Sequence, residues 1–284
     1  MVPRPPCWSL STKRIKLTVA YDGTDFRGWA AQTGRRTVQG TLRDAVRQIS
    51  GEDCEIVGAS RTDGGAHARG QVAHFDMAAA IPVAKLPNVL NRVLPPDLRV
   101  RDAREVPSWF NSRFCARDRW YRYAIAEHDR DPFHLRTAYG QRYQLDLESM
   151  QRAAEDLVGR HDFRAFTEEL EPSVLNTVRE LYRIDVSRVG AEVRIDIVGT
   201  AFLRGMMRRI SGYLYEVGVH RRDRSDGPRL LGTEREQLDW PVVLPARGLT
   251  LMAIRYGRHP KDCRQRPEKT SAEAENEHEQ NDDS

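Results

Sequence analysis

Hydrophobic and polar residues alternate near the start of the chain. Ile15, Leu17, Val19 and Tyr21 recur at every second position, and this period is typical of a β-strand with one buried face. The turn-forming sequence at 22–24 follows directly. The pattern therefore predicts a strand that ends in a tight turn.

After the turn, the apolar residues change to helical spacing. They lie at Val38, Leu42, Ala45 and Ile49. Thr37 offers a side-chain oxygen to the free backbone N–H groups at a helix start, and Gly51 suits the left-handed conformation that ends a helix. A helix is therefore predicted between these two residues.

The next elements complete a recognisable order. Short apolar runs at 56–57 and 72–75 flank a glycine-containing loop, a helix is predicted at 86–94 before two prolines, and a strand at 98–106. The order is strand–helix–strand–strand–helix–strand, which is that of a ferredoxin-like unit.

The second half of the chain repeats this alternation. Residues 107–116 form a predicted crossing segment, followed by a strand at 120–125 and an amphipathic helix at 147–157. Strands are predicted at 178–189 and 193–198 with a turn at Gly190, then a helix at 202–219 and a strand at 249–256. The fold class predicted is α+β, with two similar halves.

Length and composition favour a soluble protein with an N-terminal domain at 14–110 and a C-terminal domain at 111–257. Charged residues make up 30% of the 284 residues. No stretch approaches the roughly 18 apolar residues of a membrane span, and residues 1–13 lack the apolar core of a secretion signal. Residues 1–13 and the acidic tail 258–284 are expected to be disordered, because their composition offers little apolar surface to bury.

The cysteines give no sign of a metal site. Cys7, Cys54, Cys115 and Cys263 form no CxxC pair, and such spacing fits neither a zinc site nor a disulfide framework. Free cysteines are usual in the reducing cytoplasm, which is the location predicted.

Charge points to a polyanionic partner. The chain has a net charge of +4. The tail 258–284 holds five Lys/Arg and eight Asp/Glu, a net charge of −3, so residues 1–257 carry a net charge of +7. Arginines cluster with aromatic residues in 113–122 and in 202–224. Such mixtures are typical of RNA binding, since arginine contacts phosphates and rings stack on bases. The alternative is that both clusters are solvated strand and helix faces.

The densest chemistry lies in the loop 58–76. Arg61, Asp63 and His67 place a cation, a carboxylate and an imidazole within seven residues, beside Gly64 and Gly65. Adjacent glycines let a loop turn sharply next to a ligand. From spacing alone, a hairpin tip with a solvated Asp and Arg is an equal alternative.

Six segments resemble, in the same order, the sequence blocks of the tRNA pseudouridine synthase A family. They lie in family order between about residues 14 and 257. The segments are YDGT-x-F-x-GW at 21–29, Q…TVQG at 32–40, RTD-x-G-x-HA at 61–68, F-x-A…YRY at 114–123, AFLR-x-MMR-x-I-x-G at 201–212 and PA-x-GL at 245–249.

The resemblance implies a specific site. Asp63 is the family's catalytic nucleophile, Tyr121 the tyrosine that stacks on the target base and assists proton transfer, and Arg208 the partner of the catalytic carboxylate. Substrate binding is expected of Tyr121 and of five further residues. These are Arg61, which displaces the target nucleotide, Thr62, His67 as a support, Phe202 and Arg204.

The resemblance also implies a fold, a substrate and an assembly. The expected fold is the pseudouridine synthase fold, two ferredoxin-like α/β halves with joined antiparallel sheets and a central cleft. The expected reaction is conversion of uridine to pseudouridine in the anticodon stem-loop of tRNA, at positions 38 to 40, by a homodimer. The reaction involves no redox step, so no cofactor and no metal are expected, and no phosphate-binding GxxxxGK[ST] motif is present.

Helical spacing adds one expectation about the arginines. At about 100° per residue, Arg204, Arg208, Ser211 and Tyr215 share one face of the predicted 202–219 helix. Two arginines one turn apart repel unless an anion lies near them, and Asp63 would supply it.

Two other functions stay open from the sequence. One is a pseudouridine synthase that acts on another RNA, and the other is a non-catalytic RNA-binding paralogue. The chain also departs from the family blocks at Ala30, Gly64 and Ala66. The last two changes predict a smaller, more flexible loop that retains every reacting group.

Overall fold

The computed structural model describes residues 12–127, 132–167 and 176–257. The tail 258–284 lies outside the described residues, as does the predicted disordered N-terminus apart from residues 12 and 13. No helix in the described ranges has the length and apolar character needed to cross a membrane.

The first half has the predicted ferredoxin-like topology. Its elements are β1 (Lys13–Tyr21), α1 (Val38–Ser50), β2 (Val57–Gly58), β3 (His67–Met77), α2 (Leu86–Val93) and β4 (Leu98–Val106). In the sheet, β1 lies between β4 and β3, and the short β2 pairs with β3. All of these pairings are antiparallel.

Local sequence explains why β1 and α1 form where they do. Ile15, Leu17 and Val19 are fully buried, whereas the intervening residues are half-buried, as an alternating strand requires. The Thr37 side chain accepts a hydrogen bond from the Gly40 amide at the start of α1. Gly51 ends the helix with a φ of 76°, so both predicted helix boundaries are confirmed.

The second half repeats the topology with additions. Its elements are β5 (Ala116–Glu127), α3 (Pro132–Leu135), β6 (Tyr139–Gln141), α4 (Leu147–Glu155), β7 (Gly159–Asp162), β8 (Val178–Val189), β9 (Glu192–Gly199), α5 (Met206–Gly218), α6 (Asp226–Leu231) and β10 (Leu249–Tyr256). In the sheet, β5 lies between β10 and β9, and β8 follows β9. This is the order of the first half again, so the prediction of two similar halves in an α+β fold is confirmed.

The last described strand joins the two halves. β10 pairs with β5 through antiparallel hydrogen bonds along its length, and with β3 through a short parallel pairing at Thr250 and Leu251. The described strands therefore form one ten-stranded sheet. Each half is antiparallel along its main path, as expected, but the junction itself is a parallel pair.

One hydrophobic cluster underlies the junction. It runs from Ile15 on β1 to Ile254 on β10 and includes the core of both halves. A shared core holds the two halves in a fixed relation, because native packing leaves few voids for sliding. Side chains contributed by either half near the junction are therefore positioned with respect to one another.

Candidate active site

The loop between β2 and β3 carries Asp63 and is held from within. The Ala66 amide donates to the Asp63 carbonyl oxygen at 3.1 Å, and Gly65 has a φ of 82°, which only glycine adopts without strain. Thr62 is buried, and its Oγ1 lies 2.8 Å from the Tyr21 hydroxyl. Thr62 therefore anchors the loop to β1, and its buried side chain points away from solvent.

The YDGT-x-F-x-GW block forms a cradle around this loop. The Trp29 amide donates to the Thr62 carbonyl oxygen at 3.1 Å, and the Gly65 amide donates to the Phe26 carbonyl oxygen at 3.2 Å. A Cβ atom on Gly28 would lie 2.7 Å from the Thr62 carbonyl oxygen, and that residue has a φ of 90°. Glycine in the cradle thus permits close approach of two backbones.

Asp63 meets Arg208 at the centre of the site. The Arg208 Nε lies 3.1 Å from Asp63 Oδ2, and the two side chains are 17% and 28% exposed. Arg208 belongs to the first turn of α5. The opposite charge of its guanidinium favours the ionised form of a carboxylate this close, which is the form a nucleophile needs.

The helix that carries Arg208 starts later than predicted. The periodicity predicted a helix from residue 202, but α5 begins at Met206, after Gly205 with a φ of 69°. A residue in this left-handed conformation breaks a right-handed helix. Arg204 therefore lies in the preceding turn, and the prediction that it shares a helix face with Arg208 is wrong.

Both sides of α5 are covered by protein. One face is buried at Met206, Ile210, Tyr213 and Val217. The face predicted to carry Arg208, Ser211 and Tyr215 is covered as well, since Ser211 and Tyr215 are 0% and 6% exposed. Of that predicted face, Arg208 is the member that contacts Asp63.

Tyr121 on β5 faces the catalytic loop from the second half. Its ring is 4% exposed and meets the half-buried Phe202 edge-on, with ring centroids 5.2 Å apart. Its hydroxyl lies 2.6 Å from Ser60 Oγ. Burial raises the pKa of Tyr121; the Ser60 hydrogen bond and the Arg119 charge oppose this, and the charge of Asp63 adds to it. Three of the predicted residues, Asp63, Tyr121 and Phe202, thus share one site with Arg208.

His67 supports the site and does not contact Asp63. Its Nδ1 accepts from the Gly23 amide at 3.1 Å, and its Nε2–H donates to the Arg247 carbonyl oxygen at 3.1 Å. Burial lowers the pKa of His67, and neighbouring Asp22 offsets this only in part. A neutral ring therefore fastens the cradle to the PA-x-GL block.

Asp22 and the PA-x-GL block complete this support. Burial alone would raise the pKa of Asp22, but hydrogen bonds from Thr24 and Arg136 lower it to about 2. The Tyr123 hydroxyl donates to the Pro245 carbonyl oxygen at 2.8 Å. A Cβ on Gly248 would lie 2.6 Å from the Tyr123 ring. The first and last family-like blocks, at 21–29 and 245–249, therefore both pack beside the loop that carries Asp63.

Arg61 and Arg204 lie on the surface beside the buried groups. Both are exposed, and within the described residues Arg61 makes no hydrogen bond or ion pair. The Arg204 carbonyl oxygen accepts from Thr167 Oγ1 at 2.8 Å. An exposed cation next to the catalytic loop is suited to a phosphate or to a displaced nucleotide. Their assignment to substrate binding stays a prediction.

Several arginines of the two clusters are engaged inside the protein. Arg122 pairs with Asp196 at 3.0 Å, Arg222 with Glu216 at 2.8 Å, and Arg224 with Asp156 at 2.6 Å. Arg119 is buried, and burial lowers its pKa. Of the first cluster, Arg113 and Arg117 are exposed. Arginine counts therefore overstated the surface available to RNA.

Sequence reasoning missed two residues that build the site, Ser60 and Gln71, and misassigned a third, Arg119. Ser60 contacts Tyr121, the fully buried Gln71 bonds the Ser60 backbone, and Arg119 donates to the carbonyl oxygens of Ala59, Arg113 and Thr200. Gln71 could have been found from the sequence, because a side-chain amide among the apolar residues of a buried strand needs a hydrogen-bond partner. Arg119 was assigned to phosphate contact, a role its burial contradicts.

The departures from the family blocks are accommodated. A Cβ on Gly64 would meet no atom closer than 3.6 Å, and its φ is not positive. Ala66 is buried at 1% exposure, and its carbonyl oxygen would lie 1.8 Å from a Cβ on Gly23. The loop is thus tightly held at Ala66, whereas Gly64 faces more open space.

Comparison with known proteins identifies relatives of this chain. The family model described as tRNA pseudouridine synthase matches residues 17–114 and 153–257. The tRNA pseudouridine synthase A of Brevibacillus brevis is 40% identical over 246 residues, which cover 86% of this chain and 100% of the relative. That of Citrifermentans bemidjiense is 39% identical over 245 residues, with 86% and 98% covered. Among solved structures, the archaeal box H/ACA sRNP Nop10–Cbf5 complex matches with a TM-score of 0.33 at 10% identity, covering 71% of this chain and 43% of that one.

Proposed function

Because the chain belongs to the tRNA pseudouridine synthase family, we propose that it converts uridine to pseudouridine in the anticodon stem-loop of tRNA. Asp63 is the nucleophile, and positions 38 to 40 are the targets that the resemblance implies. One observation carries the proposal: Asp63, Arg208 and Tyr121 come from three separate sequence blocks and meet in one site.

The reaction is an isomerisation that needs a nucleophile and a shaped pocket. The bond between ribose and uracil N1 breaks, the base rotates, and a new bond forms to C5; the C5 proton leaves to solvent and N1 takes up a proton. Asp63 forms a covalent bond to the substrate during this exchange, at either the sugar or the base ring. Arg208 keeps the carboxylate charged until it reacts.

The other site residues act on the target base. A uridine in a stem must leave its stack before reaction, at a cost of a few kcal/mol. Arg61 is exposed at the edge of the loop and takes the place in the stem that the target uridine has left. The Tyr121 ring, backed by Phe202, stacks on the base and assists proton transfer at C5.

The assembly and location follow the family. The protein acts as a homodimer in the cytoplasm, with one tRNA bound by both subunits. The free, buried thiols of Cys54 and Cys115 support a reducing compartment. Light scattering of the purified protein checks the dimer, and a monomer with full activity would contradict it.

The test is an exchange of Asp63 for its neutral isostere. Asp63→Asn removes the nucleophile with little change in shape. Tritium release from tRNA labelled at uracil C5 should vanish, because an amide cannot form the same intermediate. Binding should stay level or rise slightly, since phosphate contacts dominate affinity. Asp44→Asn is the charge-matched control, because Asp44 is 76% exposed on α1.

The same assay separates the alternatives. Full release by Asp63→Asn would refute the catalytic assignment. Tight tRNA binding by the wild type without any release would favour the non-catalytic RNA-binding paralogue. Release from another RNA, but not from tRNA, would favour a synthase with a different substrate.

A further inference from the structure

We propose that Ser60 is a positioning residue for Tyr121, holding the phenol hydroxyl in the orientation that the reaction requires. The effect on turnover rests on the proposed function, whereas the contact itself is seen in the geometry. Ser60 Oγ lies 2.6 Å from the Tyr121 hydroxyl oxygen. This is a short distance for two neutral hydroxyls, so one donates directly to the other.

The contact joins the two halves of the protein. Ser60 precedes the catalytic loop in the first half, and Tyr121 lies on β5 in the second. Between their elements the sheet contains β3 and β10. The hydrogen bond therefore links the Asp63 loop directly to the ring of Tyr121. Without it, the two would be connected only through the backbone pairing of β3 and β10.

Ser60 is itself held in place by a fully buried side chain. Gln71 on β3 is 0% exposed. Its Nε2 donates to the Ser60 carbonyl oxygen at 2.6 Å, and its Oε1 accepts from the amides of Ser60 at 3.3 Å and Val72 at 3.1 Å. A buried amide with three partners fixes the backbone it binds. Gln71 thus immobilises Ser60 before substrate arrives.

The ring of Tyr121 has a separate constraint at its other side. Phe202 contacts it edge-on, with an interplanar angle of 83°. Packing against Phe202 restrains the plane of the ring, and the Ser60 bond restrains the direction of the hydroxyl. The two restraints are distinct, so loss of the hydroxyl contact leaves the stacking surface intact. The expected kinetic signature is a loss in turnover without a loss in substrate binding.

The electrostatic effect of Ser60 has the same direction. Burial raises the pKa of Tyr121, and the hydrogen bond with Ser60 counteracts it. Without Ser60, burial acts with less opposition, and Tyr121 gives up its proton only at higher pH.

The test combines Ser60→Ala, Ser60→Thr and Tyr121→Phe. Ser60→Ala should lower kcat for tritium release about tenfold with KM within about twofold, the effect of one lost hydrogen bond. Ser60→Thr keeps the hydroxyl and should restore most of the turnover. Ser50→Ala is the control, because Ser50 Oγ bonds the Val46 carbonyl oxygen at the end of α1 and should leave kcat unchanged.

A double-variant cycle assigns the effect to the pair. If Ser60 acts through the Tyr121 hydroxyl, Ser60→Ala should add no loss in the Tyr121→Phe background. Multiplied losses, or an unchanged kcat in Ser60→Ala alone, would overturn the proposal.

A second readout needs no turnover. In protein labelled with 3-fluorotyrosine, the fluorine NMR signal assigned to Tyr121 by its loss in Tyr121→Phe should titrate at higher pH in Ser60→Ala than in the wild type. An unchanged titration would overturn the contact even in a protein inactive on tRNA. Absent wild-type turnover would refute the proposed function alone.

Discussion

The Arg208 Nε lies 3.1 Å from Asp63 Oδ2, although the two residues come from opposite halves of the chain. Each side chain is part-buried, so water screens their attraction less than on an open surface. The pair therefore links the two halves and places a cation directly beside the proposed nucleophile.

Replacement of Arg208 by Met tests this pairing. Arg208→Met keeps side-chain length but removes the counter-charge, so the Asp63 carboxylate should bind a proton more readily. We expect kcat to fall about 100-fold near pH 7 and to recover in part as the pH rises. The pH–rate profile of tritium release provides the measurement.

Two further variants make that result specific. Arg208→Lys keeps the charge without the guanidinium geometry and should have intermediate activity. Arg152→Met removes an exposed helical pair with Glu148 at 3.2 Å and should leave kcat unchanged, because surface pairs contribute little. An unaltered pH profile in Arg208→Met would contradict the assigned role.

Two glycines near the loop should respond oppositely to a methyl group. Gly28→Ala places a Cβ 2.7 Å from the Thr62 carbonyl oxygen at a φ of 90°, so the catalytic loop must shift. We expect kcat to fall by about tenfold or more and Tm to drop. The Cβ of Gly64→Ala meets no atom closer than 3.6 Å, and this variant should be slightly more stable, by about 0.5 kcal/mol. Calorimetry and tritium release on both variants give the comparison, and equal effects would refute the cradle.

Salt dependence tests the surface beside the site. tRNA affinity should fall steeply with salt, with a log–log slope of about −0.7 to −0.9 per neutralised phosphate. Arg61→Gln should reduce the magnitude of the slope by about one such contact. Arg183→Gln is the control, because Arg183 is exposed on β8 and pairs with Asp185 at 2.7 Å. A tRNA affinity that does not change with salt in the wild type would refute the prediction that this surface binds RNA.

Stability should depend on pH through His74. Burial, with a contribution from Arg14, lowers the pKa of His74 from 6.5 to about 4, and its Nδ1 accepts from the Ser112 amide at 3.2 Å. The unfolded chain binds a proton below pH 6.5 but the folded chain does so only near pH 4. The folded state therefore loses stability as the pH falls through this window, by about 2 kcal/mol at pH 5 and about 3 kcal/mol at pH 4.

His74→Asn isolates that contribution. Asn keeps an acceptor near the position of Nδ1 but does not titrate. Its unfolding free energy should vary less between pH 7 and pH 5 than that of the wild type, by about 2 kcal/mol. Urea titrations at the two pH values measure the difference. An equal pH dependence in the variant and the wild type would show that His74 binds a proton as readily in the folded as in the unfolded state.

Some elements were predictable from the sequence because local rules determine them. The bounds of β4 and β10 match the predicted strands at 98–106 and 249–256, and the caps of α1 follow from Thr37 and Gly51. In each case, the period of apolar residues and a flanking turn or cap residue agree. The pairing of Asp63 with Arg208 was available only through the family resemblance.

Other features depend on tertiary structure and escaped prediction. Apolar periodicity continues through Phe202, so it gave no sign that Gly205 breaks the helix. Arg119 and Arg122 resembled a phosphate-binding cluster, because a sequence does not distinguish a solvated guanidinium from one bonded to carbonyl oxygens or to Asp196. The Ser60–Tyr121 contact arises from the junction of the two halves, which no local pattern specifies.

The position of β10 has a consequence for synthesis on the ribosome. Chains emerge from the N-terminus, so β3 and β5 are both available before residues 249–256 that pair with them. Until β10 inserts, each half exposes an open sheet edge, which is a template for pairing with another chain. A chain cut short upstream of residue 249 carries Asp63, Tyr121 and Arg208 but lacks the strand between their halves. A working enzyme therefore forms only after residues 249–256 have left the ribosome, and shorter products expose the unpaired edges of β3 and β5.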